Sequence, residues 1–147
     1  MNDDILADDP IVFLVQRGND SLKSAEALVE LDLILDGLSR AYYAALHHAR
    51  ALLLSIDIVP KSHKGTLTLF SLHFIKTGII PKEIGVNFSI LQKIREDSDY
   101  EIGMFYERDE AERLLEDTRL FCRIVVDVLK ARGKGVPASI TKSGWQM

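Results

Sequence analysis

The chain has 147 residues, 47% of them hydrophobic and 27% charged, which suits one domain with a real core and leaves too little for two. A net charge of −4 argues against an indiscriminate polyanion binder, yet leaves room for a small basic cleft on an acidic body. A lone cysteine excludes an intrachain disulfide, no apolar run nears the roughly 20 residues of a membrane span, and the acidic opening Met1-Asn2-Asp3-Asp4 is unlike a secretion signal, so a cytoplasmic protein is expected.

Residues 1–8 read as an acidic, solvated arm. Asp9 is a candidate N-cap with Pro10 at the first helical position. From there Ile11, Leu14, Val15, Leu22, Ala25, Leu28 and Val29 recur at helical spacing, with Gly18 a weak point by propensity. A short turn within Glu30–Asp36 leads into a second helix, expected from about Leu33 to Ile56, whose last turns from Ala49 are almost wholly apolar. Asp57 to Lys61 forms a break, with Pro60 as the stop. Ser62 then caps a third helix, His63 to about Thr77, with the stripe Leu67, Phe70, Phe74 and Ile75, and Gly78 closes it.

The stretch from Ile79 to Asn87, with Pro81 and Gly85, reads as a loop before a fourth helix from about Phe88 to Tyr100. Gly103 marks a bend. A fifth helix starts at Tyr106 or Glu107 and carries Ala111, Leu114, Leu115, Thr118, Phe121, Cys122, Val125, Val128 and Leu129, until Gly133 and Gly135 stop it. Cys122 on that stripe reads as a buried structural thiol. Residues 133–147 read as a flexible tail with Trp145 its one anchor. The sum is an all-α, antiparallel, up-and-down bundle of four main helices plus a short fifth, over residues 9–132.

Three polar clusters interrupt this pattern. On the second helix, Arg40, Tyr43 and His47 share a stripe, with Arg40 and His47 roughly 11 Å apart along the axis. Either Arg40 pairs with Asp36 one turn earlier, or the group binds something. At the start of the third helix stand Lys61, Ser62, His63 and Lys64, where free N–H groups and the helix dipole favour an anion, or where an ordinary cap sits among solvated lysines. On the fourth, Arg95 either bridges to Asp99 on the surface or lies in a cleft beside Tyr100. No metal-ligand spacing stands out, since adjacent His47 and His48 point about 100° apart, and no cofactor motif is present.

Taken together, the run Ser39-Arg40-Ala41-Tyr42-Tyr43-Ala44-Ala45-Leu46-His47, the Lys61-Ser62-His63-Lys64-Gly65 start with Leu69-Phe70, the segment Phe74-Ile75-Lys76-Thr77-Gly78, and Arg95-x-x-x-Asp99-Tyr100 resemble the small prokaryotic branch of the HEPN superfamily. The resemblance runs from about Gly18 to Lys130. It implies a helical bundle that forms a homodimer, a minimal nucleotidyltransferase as partner protein, a nucleotide or RNA phosphate as ligand, and a place in a toxin–antitoxin-like pair. The three polar clusters supply the candidate ligand-binding residues Tyr43, Lys61, His63, Lys64, Asp99 and Tyr100.

Many members resemble metal-independent ribonucleases whose signature is an arginine followed four to six residues later by a histidine. Arg95 takes the arginine's place, but Tyr100 stands where that histidine belongs. Arg40-x6-His47 has the letters on an earlier helix. An active enzyme would then take its cation from Arg40 or Arg95 and its base from His47 or His63. That requires the second, third and fourth helices to converge, within one chain or across a dimer axis. A third alternative is a non-catalytic dimeric module whose polar groups only fix helix register.

Overall fold

In a computed structural model, which describes residues 9–100 and 103–137, with the Tyr100 side chain outside that description, the chain folds into five α-helices. They are α1 (Pro10–Glu30), α2 (Ile34–Leu54), α3 (His63–Phe70), α4 (Lys82–Tyr100) and α5 (Arg108–Ala131). The described residues contain no strand, so the all-α bundle is borne out. The acidic arm, Trp145 and the tail beyond residue 137 lie outside the described residues. Among those described, no helix is long and apolar enough to cross a membrane.

The local signals act as expected at most helix ends. Asp9 accepts a hydrogen bond from the Ile11 amide at 2.8 Å, ahead of Pro10 at the first position of α1. Ser62 caps α3 through the Gly65 amide at 2.9 Å. Gly78 and Gly133 take positive φ after their helices, where a side chain would be strained. Asp32, in the tight link from α1 to α2, takes φ +63°, an excursion aspartate tolerates better than most residues.

Two boundaries differ from the sequence reading. The third helix does not run evenly to Thr77: after Phe70 the ladder widens into one π turn, Ser71–Ile75. The loop expected up to Asn87 is largely helix, because α4 begins at Lys82, with the Pro81 carbonyl accepting from the Ile84 and Gly85 amides. Gly85 signals close packing there, not a break. A Cβ on it would lie 2.2 Å from the Ile75 Cδ1 of the π turn.

Central α2 packs on α1 most extensively and also on α3, α4 and α5. This explains its nearly unbroken apolar run: Ala41, Ala44, Ala45, Ala49 and Ala51 are all fully buried, and their small side chains let neighbouring helices approach. At Gly18 α1 packs tightly on α2: a Cβ there would stand 2.3 Å from the ring Nδ1 of His48. On the other flank, Phe70, Phe74, Phe88 and Phe121 form a chain of ring contacts with centroids 5.5 to 6.0 Å apart, joining α3, the π turn, α4 and α5. Each such buried ring contributes about 2–3 kcal/mol by area. Tyr42 joins this chain through Phe88, at 6.1 Å, and so fixes the polar stripe of α2 to the aromatic core. Cys122 is buried, and burial pushes its thiol pKa up, as a structural role requires.

Candidate phosphate-binding site

The helical period puts Arg40, Tyr43, His47 and Arg50 on one stripe of α2, spanning roughly 15 Å. The short helix α3 turns His63 against this stripe, with its ring centroid 5.9 Å from those of both Tyr42 and Tyr43. From α4, Arg95 reaches in to donate a hydrogen bond from Nη2 to the Tyr43 hydroxyl at 3.0 Å. Its guanidinium carbon lies 5.3 Å from the centroids of both tyrosine rings. Arg40 lies over the Tyr43 ring at 4.6 Å. The clusters of the second, third and fourth helices thus converge within one chain, around Tyr43.

The bland pairings do not form. Arg40 has no ion pair with Asp36, and Arg95 has none with Asp99; the bridge on that part of α4 is Lys93 to Asp97 at 3.2 Å. Asp99 is exposed and stands apart from the ring contacts. Lys61 and Lys64 are exposed beside the α3 start, whose cap is occupied by Ser62. The Tyr100 side chain lies outside the described residues.

Burial and neighbouring cations set the charges. Burial first, then Arg17, Arg50, His48 and Arg40, hold the His47 pKa down at about 4. The His63 pKa is also lowered, by burial and then by Arg95 and Arg50. Both rings are therefore neutral at pH 7 amid guanidiniums. Burial pushes Tyr42 up to about 12, with Arg95 opposing, so its phenol stays protonated. The fully buried Tyr42 hydroxyl and the His47 Nδ1 have no hydrogen-bond partner.

Two residues of this site were missed by sequence reasoning, Arg17 of α1 and Arg50 of α2. Arg50 was findable, since it continues the 40–43–47 stripe by three residues. Arg17 carries no such local signal, because only the packing of α1 on α2 brings it near His47. None of Arg17, Arg40, Arg50 and Arg95 makes an ion pair with a carboxylate among the described residues. On a chain of net charge −4 this is a local excess of positive charge with hydrogen-bond donors facing aromatic rings. Such a site suits a phosphate group. Among the described residues no cluster of three His, Cys, Asp or Glu side chains could hold a metal ion. His48, by contrast, is wholly inside the bundle and donates from Nδ1 to the Ala44 carbonyl at 2.8 Å.

Comparison with known proteins adds to this geometry. The model of the HEPN domain matches residues 11–129. A protein of Methanocaldococcus jannaschii named "Putative toxin MJ0605" is 32% identical over 80% of this chain and 87% of its own length. A second from that organism, "Putative toxin MJ0142", is 32% identical over 74% of each chain. A Gloeobacter violaceus protein with the name "UPF0332 protein glr0978" is 32% identical over 79% of this chain and 93% of its own.

Proposed function

The chain belongs to the HEPN domain family, and on that premise we propose that it binds a nucleotide or RNA phosphate between α2, α3 and α4, as the toxin-like half of a two-component system. One observation carries this reading: four arginines without carboxylate partners, Arg17, Arg40, Arg50 and Arg95, surround Tyr43, His47 and His63. Unpaired guanidiniums close together repel one another, and a bound phosphate relieves that cost. The toxin names of two relatives support the biological half of the proposal. Its partner is a minimal nucleotidyltransferase. The active unit is a homodimer, a reading supported by the exposure of apolar Leu31, Leu33 and Phe105, the last 77% exposed.

Fluorescence anisotropy with labelled single-stranded RNA and competition by AMP test the ligand. Binding should weaken steeply with salt and fall about tenfold or more in Arg40→Ala/Arg95→Ala. Equal affinity of wild type and variant would sink the proposal. Co-purification with the product of a neighbouring nucleotidyltransferase gene tests the partner, and light scattering tests the dimer.

One observation favours a second reading, a metal-independent endoribonuclease. A neutral His63 ring lies beside the Arg95–Tyr43 pair, so a base and a cation stand together although no histidine follows Arg95 in sequence. Cleavage would send the 2′-hydroxyl proton to the ring as the 2′-oxygen bonds to phosphorus. The P–O5′ bond then breaks, the 5′-oxygen leaving as a hydroxyl with the proton returned from the ring, while guanidiniums stabilise the phosphorane charge. Labelled RNA incubated without metal, with and without His63→Ala, decides it.

A further inference from the structure

Arg17 and Arg50 make up one end of the arginine site, close to where the chain enters α1. Both bear electrostatically on the His47 ring, and neither has a carboxylate partner among the described residues, Asp20 one turn beyond Arg17 included. Four residues before Arg17, on the same face of α1, stands Phe13, 52% exposed. That face presents an uncovered ring and, one turn on, an uncompensated cation. The residues that precede the helix carry the matching groups in reverse order, Ile5 and then Asp4 and Asp3 counting back from Asp9. The spacings match as well. Phe13 and Arg17 are roughly 6 Å apart along the helix, and Ile5 and Asp3 are roughly 6–7 Å apart on one side of an extended chain. Asp9 caps α1 with an extended backbone, so the chain leaves the helix there and does not prolong it. Arg17 lies roughly 12 Å along the axis from Asp9, and the six residues back to Asp3 span roughly 20 Å when extended, enough for a turn and the return.

We propose that residues 3–8 fold back along α1, Ile5 on Phe13 and Asp3 on Arg17, with Asp4 adding charge beside Arg50, and so compete with phosphate for this end of the site. An exposed ion pair is weak alone, but a short tether holds the carboxylates at millimolar effective concentration. Arg40 stands roughly 15 Å farther along α2 than Arg50, beyond Asp3 and Asp4. The arm therefore covers one end of the site and leaves Arg40 and Arg95 open. A strand that fills the whole stripe displaces the arm, whereas a single phosphate has the open end. The regulatory half of this inference rests on the phosphate reading; the contact of the arm with α1 does not.

The test is paramagnetic broadening of amide signals in the full chain, with a spin label on Asn2→Cys; Cys122 is buried and stays unlabelled. The amides of Phe13, Arg17 and Arg50 should lose intensity, while those of Leu33 and Tyr106, together at the opposite end of the bundle, keep it. The loss should disappear in Asp3→Asn/Asp4→Asn. Absence of broadening, or broadening unchanged in that variant, would overturn the contact. Deleting residues 2–8 keeps the Asp9 cap and Pro10. It should tighten binding of a labelled single-stranded RNA about threefold at low salt, the gain shrinking as salt rises. Equal affinity with and without the arm overturns the competition. If neither form binds RNA, the phosphate reading fails and the competition with it, while the broadening still decides the contact.

Discussion

Arg95 donates to the hydroxyl of Tyr43 across the α2–α4 interface, and no carboxylate neutralises it among the described residues. The phenol oxygen orients the guanidinium without cancelling its charge. That separates positioning from binding. Tyr43→Phe removes the acceptor and keeps the ring under Arg40, so stability should fall by only about 1 kcal/mol. RNA affinity should drop about threefold to tenfold as Arg95 loses its fixed orientation. Urea denaturation and anisotropy measure the two separately, and a change in stability alone would make the pair purely structural.

Arg40→Ala should cost little stability. Arg40 touches the Tyr43 ring and has no carboxylate partner, so its removal strands no buried charge. The expected loss is below about 1 kcal/mol, close to that of the exposed Arg123→Ala. Ligand affinity should separate the two: about tenfold weaker in Arg40→Ala and unchanged in Arg123→Ala.

Most of the fold was legible because each helix carries its own signals. Asp9-Pro10, Ser62, Gly78 and Gly133 act within a turn of where they stand. The start of α4 was not legible, because Gly85 has two opposed meanings. In isolation it weakens a helix, but against Ile75 it is the residue that lets α4 approach the π turn. The site was half legible. The Arg40–Tyr43–His47 stripe follows from period alone, whereas the docking of His63 on Tyr43 and the approach of Arg17 to His47 depend on how separate helices pack.

Gly18→Ala should be destabilising despite the higher helix propensity of alanine, which by itself would gain about 1 kcal/mol. The added Cβ would stand 2.3 Å from Nδ1 of His48, a ring held by its bond to Ala44 and enclosed by the bundle. Overpacking of this kind costs about 1–3 kcal/mol, so the net should be a clear loss. Gly85→Ala meets the tip of a flexible isoleucine and should cost less. Thermal melts of the two variants compare them directly, and an equal or smaller loss for Gly18→Ala would show that the α1–α2 contact is loose.

Acid should destabilise the bundle through His48. Burial holds its folded pKa at about 4, below the ordinary 6.5 of an unfolded chain. The unfolded state therefore binds more protons between those values, and stability falls as pH drops from about 6.5 toward 4. At pH 5 the loss from this one ring is about 2 kcal/mol relative to pH 7. Replacing His48 with glutamine should remove about half of the pH dependence of urea unfolding across that window, because His47, also held at about 4, supplies a similar share. An unchanged slope would mean that His48 does not govern it.

Binding of a phosphodiester should strengthen on acidification, opposite in sign to stability. In the free protein His47 titrates at about 4 and the His63 pKa is lowered, so both rings are neutral at pH 7. A phosphodiester set among them favours their charged forms and raises their pKa values in the complex. Proton uptake then accompanies binding, and affinity rises as pH falls through the bound-state values. A dinucleotide or short RNA is the right probe, because its diester does not titrate in this range, whereas a terminal phosphate does, near 6. From pH 7.5 to 5.5, affinity should rise by about threefold to tenfold in wild type. His47→Gln/His63→Gln should remove that rise while keeping the arginine contribution and its salt dependence. If the double variant keeps the pH profile, the protons are taken up elsewhere. A flat wild-type profile would place the diester away from both histidines.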